Sequence, residues 1–275
     1  KALNSAQISA LTTNTAEVQL LTTTQLQSIS TAALSGMRTD QITALDDAQL
    51  QSLTSTQVKA LSTAQLDALT SVQVSKLTST QMTALSSAQV SALTSSTAEV
   101  NALTADQLKN ISTAAMSGLR TDQINVLTQT KLEALSVDQV KVLSTAQIDA
   151  LTSVQVSKLT TTQVAVLSAA QVTALTTDSD ELALLTTAQL QNISTAAING
   201  LRTDQIGTLA AANLKSLTAD QVKALSTTHI DALTSAQVDK LTTTQVSALS
   251  AAQVTALTTD TAEMGALTTA QSLGN

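Results

Sequence analysis

The chain is 275 residues long, 28.2 kDa, with no Cys, Pro, Trp, Tyr or Phe and a single His, which excludes disulfides, thiolate nucleophiles, Cys-ligated or multi-histidine metal sites and most Ser-His relays. Thirteen Lys and Arg against twenty Asp and Glu give a net charge of −7; with no basic run and no aromatic to stack on a base, nucleic acid is not an expected partner. Ser, Thr or Gln interrupts every apolar stretch, so no segment approaches the roughly 18–20 apolar residues of a bilayer span, yet 43% hydrophobic and 12% charged residues place the chain outside the usual disordered class.

In chain order, residues 1–20 match the last two segments of a repeat unit, and three full units follow at 21–102, 103–184 and 185–266. Leu267 opens another, so 267–275 reads as its start. Both ends fall inside the repeat, no Met or signal-type segment opens the sequence, and a longer parent chain is expected. The 82-residue spacing is set by LTTTQLQSIS at 21–30, LTADQLKNIS at 103–112 and LTTAQLQNIS at 185–194. Each unit consists of nine octads and one ten-residue variant, the variants being LTSSTAEVNA at 93–102, LTTDSDELAL at 175–184 and LTTDTAEMGA at 257–266. The octad template is Leu, Ser/Thr, any, any, Gln, an aliphatic residue, any, and a small residue, as in LTSVQVSK at 69–76.

An eight-residue period suits neither a long helix nor a strand. At about 100° per residue, successive octads would turn their Leu some 80° apart, and coiled coils need seven- or eleven-residue periods. In a strand, positions 1 and 6 would point to opposite faces. The segment must therefore break once per octad. Ser or Thr at position 2 followed by Gln at position 5 is the spacing of a capping box, as in Thr70 with Gln73, Ser86 with Gln89 and Thr160 with Gln163. The Leu before the cap and the aliphatic residue four places after it form a hydrophobic-staple pair. In the variants the box shifts two places, to Asp178 with Glu181 and Asp260 with Glu263.

One short capped helix per octad is the expected result. Such helices are unstable alone, so neighbours must stabilise them, and the fold class is all-α, a repeat solenoid or superhelix with a thin aliphatic core. A β-solenoid is the alternative that Thr and Val would favour; Ala, Leu, Gln and the capping boxes weigh against it. Met37, Met82, Met116 and Met264 fall at or near apolar template positions and read as core.

The template is broken at ALSGMRTDQI (33–42), AMSGLRTDQI (115–124) and AINGLRTDQI (197–206). Gly36, Gly118 and Gly200 stand at position 8, and Arg38, Arg120 and Arg202 replace the capping hydroxyl. The expectation is a left-handed helix end at each Gly, with the Arg bonding exposed carbonyls or Asp40, Asp122 and Asp204; the other reading is a contact between neighbouring chains or turns. His229 occupies the position held by Gln65 and Gln147 and reads as a substitute for a capping Gln rather than a catalytic base. Asp178, Asp180 and Glu181 offer oxygen ligands to calcium, with helix-start acids as the competing reading. Asn110-Ile111-Ser112 and Asn192-Ile193-Ser194 fit the glycosylation sequon, although the first unit has Ser28 instead. No nucleophile is paired with a base and no phosphate-binding loop is present, so neither an enzyme nor a small-molecule substrate is expected, and no cofactor beyond that calcium possibility.

The tandem pattern L-[ST]-x-x-Q-[VIL]-x-A without aromatics resembles the octad tracts of very large secreted bacterial surface proteins, over the whole chain but by a motif of low complexity. The resemblance implies an extracellular or cell-surface location and a role as stalk, filament, sheath or surface layer. The leading expectation is a structural protein that associates with copies of itself. The alternatives are an adhesin stalk, a protein-binding solenoid, and a Thr-ranked surface for ice or polysaccharide.

Overall fold

A computed structural model describes residues 7–8, 15–176 and 179–257. The chain divides into two compact units, Lys1–Leu143 and Ser144–Asn275, and both follow one plan. Among the described residues there is no strand; α-helices of four to seven residues, with 3-10 helices at Thr113–Gly118 and Ile198–Gly200, succeed one another, one to each octad or ten-residue variant. The solenoid expectation therefore holds and the β-solenoid falls. No helix of the described residues is long and apolar enough to cross a membrane.

The capping box starts the helices as the spacing predicts. In Ser71–Lys76 the N-cap Thr70 is extended (φ −69°, ψ 156°); its hydroxyl accepts from the Gln73 N–H and its own N–H donates to Gln73 Oε1 at 3.1 Å. Ser86 with Gln89 and Thr160 with Gln163 repeat this geometry. The next Leu ends the helix. Leu77 is itself extended and donates its N–H to the Val74 carbonyl, so one residue terminates one helix and precedes the cap of the next. Both staple positions are buried: Leu69 and Val74 are 2% and 0% exposed. Met37, Met82 and Met116 are core, as expected, whereas Met264 lies outside the described residues.

Helices stack on the third helix along the chain, as Thr23–Ser28 does on Asp47–Ser52 in the first unit and Thr145–Asp149 on Ala169–Leu175 in the second. The pitch is fixed by glutamine. With its Oε1 committed to the cap, Gln57 turns Nε2 inward and donates to the carbonyls of Leu26, 31 residues back at 2.8 Å, and Ile29, 28 residues back at 2.9 Å. Each helix thus sits over the junction of two octads below it, and one turn takes about 28 residues, three and a half octads. Gln65, Gln81, Gln89 and Gln139 make the same rung in the first unit, and Gln221, Gln237, Gln245 and Gln253 in the second. The ladder satisfies carbonyls that short helices leave without intrahelical donors.

Ten-residue variants lengthen the rung span by two residues without breaking it. Gln107 reaches Val74 and Leu77, 33 and 30 residues back, and Gln189 reaches Val156 and Leu159 over the same spans. The extra turn is pinned by Thr94, fully buried, whose hydroxyl donates to the Val90 carbonyl at 2.7 Å. Thr176 does the same to Val172 at 2.9 Å. The shifted box is seen in the first unit as Ser96 with Glu99, whose carboxylate accepts the Ser96 N–H at 2.9 Å.

Candidate functional site

The Gly–Arg–Asp landmarks sit where the ladder changes form. The octad before each has Ala in place of Gln: Ala33, Ala115 and Ala197, at most 1% exposed. Without the long side chain the backbone closes directly on the turn below. A Cβ on Gly118 would lie 2.1 Å from the Ser87 carbonyl oxygen, and one on Gly200 2.1 Å from that of Ala169. At Gly118 and Gly200 this close approach, rather than a left-handed helix end, is why glycine is there, whereas Gly36 is exposed. No described glycine has positive φ, and Gly36 is right-handed at φ −84°, ψ −8°. The left-handed expectation is thereby corrected.

The arginines behave as expected. Arg38 forks onto Asp40 with Nε–Oδ1 and Nη2–Oδ2 both at 3.0 Å; Arg120–Asp122 and Arg202–Asp204 repeat the fork at 3.1–3.3 Å. Arg120 also donates to the carbonyls of Ser91 and Ser95 on the turn below, tying the landmark to the ten-residue variant. A guanidinium cannot accept the capping N–H, yet half the box survives: the Arg38 N–H donates to Gln41 Oε1 at 2.7 Å. The Arg38 fork, chiefly through its hydrogen bonds, holds the Asp40 carboxyl below its ordinary value, and Arg202 does the same to Asp204.

His229 takes the place of a ladder glutamine but makes only part of its bonds. Its Nε2 lies 2.7 Å from the Leu201 carbonyl, 28 residues back, and Nδ1 lies 2.6 Å from the Ser226 hydroxyl. A carbonyl only accepts, so Nε2 carries the proton, and in the neutral ring Nδ1 accepts from Ser226. The ring has nothing left for the Ser226 N–H, which donates instead to Asn199 Oδ1 at 2.9 Å; Asn199 Nδ2 donates to the Ala224 carbonyl. Asn199 stands where the other units have Ser35 and Ser117, so histidine and asparagine form a compensated pair that the sequence reading missed.

Lys131 takes another ladder position. It is 9% exposed, donates to the Val100 and Asn101 carbonyls at 3.1 and 2.7 Å, and burial holds its ammonium below the ordinary lysine value. Its N-cap, Thr128, lacks a side-chain cap bond. The Gln205 amide accepts from the Arg202 N–H and the Thr176 hydroxyl, while its buried Nε2 has no partner among the described residues.

Of the calcium candidates, Asp178 and the side chains of Asp180 and Glu181 lie outside the described residues. In the two sequons the middle residues, Ile111 and Ile193, are core at 2% exposure, and Asn110 and Asn192 bond their own helices at Asp106 and Ala188.

The sequence reading also missed a shallow groove of about 560 Å³ on the second unit. Ala146, Ala170, Ala174, Thr145 and Thr173 line it, and Asp149 and Arg202 supply its charges. The same positions 82 residues earlier are Ala64, Ala88 and Ala92, with Asp67 and Arg120.

No curated protein matches the chain. The family model of the ALTTAQ repeat matches residues 45–79 and 130–161. Over those two stretches, each several octads long, the chain is similar to that repeat family.

Proposed function

We propose that this chain is a non-catalytic, extracellular structural repeat protein that works by regular association with copies of itself. The observation that carries the reading is how the polar side chains are used. Ser and Thr hydroxyls accept helix-start N–H groups, Gln amides join a cap to the carbonyls of the turn below, and His229 spends both ring nitrogens in the same way. These groups hold turns together, and that commitment argues against their serving a reaction. The recurrence of surface features at 82 residues favours a partner with the same spacing, and the chain itself is one. The extracellular location rests on the likeness to secreted octad tracts.

Electron microscopy of the purified chain, with analytical ultracentrifugation over a concentration series with and without millimolar calcium, tests the reading. Ordered filaments, tubes or sheets are expected. Single particles at every concentration would overturn it.

A further inference from the structure

Two surface features stand out, and their residues recur at 82-residue spacing. The first is a knob. Among the described residues Val72 and Val154 are 62% and 70% exposed, against at most 5% for the template valines and leucines of the same octads. They hold the same place in the identical helices Ser71–Lys76 and Ser153–Lys158, and each has a lysine four residues on, Lys76 or Lys158, on the same helix face. An aliphatic side chain at that exposure contributes nothing to its own core.

The second is the alanine-lined groove with Asp149, a cavity on the scale of several side chains. Asp149 and Lys158 form no ion pair among the described residues. Eighty-two residues separate Val72 from Val154, and the same number separates Asp67 from Asp149.

We infer that the groove of one copy receives the Val154 knob of a second copy, with Lys158 of the incoming helix meeting Asp149. The corresponding first-unit residues are Asp67, Val72 and Lys76, and there Lys76 exchanges its exposed 3.0 Å pair with Asp47 for Asp67 of the receiving copy. The contact is heterologous, knob into groove, so each copy keeps a knob and a groove for further copies and association propagates. It rests on the self-association reading above and specifies the surface. The small alanine side chains let the knob approach closely, and the lysine–aspartate match sets its orientation.

The test uses the full chain in sedimentation velocity. Wild type is expected to associate with concentration, and Val72→Asp/Val154→Asp to do so about tenfold or more weakly, with unchanged helical circular dichroism because both sites are exposed. Asp67→Lys/Asp149→Lys and Lys76→Asp/Lys158→Asp should each lose association alone, because like charges face each other. Mixed together they should recover it, since every knob then finds a groove of opposite charge. Wild type that stays single at all concentrations overturns this contact and the self-association reading together. Association of wild type that the valine pair leaves unchanged, or charge variants that fail to recover on mixing, overturns the contact and leaves self-association standing.

Discussion

The glutamine ladder makes a sharp prediction at Gln139, which is 1% exposed. Its Oε1 accepts from the Ser136 N–H at 2.9 Å, and its Nε2 donates to Leu108 and Ile111 at 2.8 and 2.7 Å. The Leu108 carbonyl also receives the Ile111 N–H, so it keeps a partner if the glutamine is lost; the Ile111 carbonyl does not have that second bond. Gln139→Met keeps the volume but strands one buried carbonyl and one cap N–H. At about 1–3 kcal/mol for the first and up to about 1 for the second, the cost is about 1–4 kcal/mol, independent of pH. Gln139→Glu differs by one atom and should be worse at neutral pH, by about 3–5 kcal/mol, because an acceptor-only carboxylate then faces two carbonyls. Burial among acceptors raises the folded-state pKa of that glutamate above its unfolded value of about 4.3. The variant is therefore closest to wild type below the unfolded pKa, where a protonated O–H donates to one carbonyl. It loses that stability as pH rises through the folded value. Urea unfolding followed by far-ultraviolet circular dichroism from pH 4 to 8 measures this. A Gln139→Glu chain as stable as wild type at pH 7, or with the same pH dependence as Gln139→Met, would refute the ladder.

Gly118→Ala and Gly200→Ala should each cost at least about 2 kcal/mol in the same assay, because a methyl must displace backbone rather than a movable side chain. Asn199→Ser should cost about 1 kcal/mol with His229 present and clearly less in a His229→Gln background, where the returning amide supplies Ser226 with its acceptor; a double-mutant cycle reads the coupling. Lys131→Gln should stabilise the chain by about 1 kcal/mol, by restoring the cap at Thr128 and removing a buried ammonium. Carboxyl titration by NMR should find Asp40 and Asp204 below the ordinary aspartate value, and Arg38→Ala should return Asp40 towards it. Since these folded values are depressed, the stability they bring is present above the unfolded value near 3.8 and is lost as pH falls through the folded one.

What was legible in the sequence is what acts over three or four residues. The cap at Thr70 and Gln73, the Leu that closes one helix and opens the next, and the Arg–Asp forks are local, so spacing alone reveals them. The other half of each glutamine was not legible, because Nε2 bonds lie 28–31 residues away and an octad count gives no number of octads per turn. Glycine misled for a related reason. Local rules assign it to a left-handed turn, whereas Gly118 answers to the Ser87 carbonyl one turn below. The His229–Asn199 pair did leave a signal: both positions depart from the other units in the same unit, thirty residues apart, close to one turn. Reading it required the pitch. The groove left none, since alanine is common at its positions throughout.

Among the described residues the ladder glutamines point from a later octad to carbonyls 28–33 residues earlier in the chain. For its ladder bonds, a chain made or exported from its N-terminus does not wait on residues yet to emerge, and only surface bonds such as Gln27 to the Ser52 carbonyl and Gln51 to the Lys76 carbonyl are closed by the turn that follows. Each new octad finds its acceptors already placed, folds its cap and docks. Growth resembles the laying of a course of bricks, in which the only raw edge is the one being built. Secretion through a narrow channel would then deliver a surface that is finished up to the last turn outside.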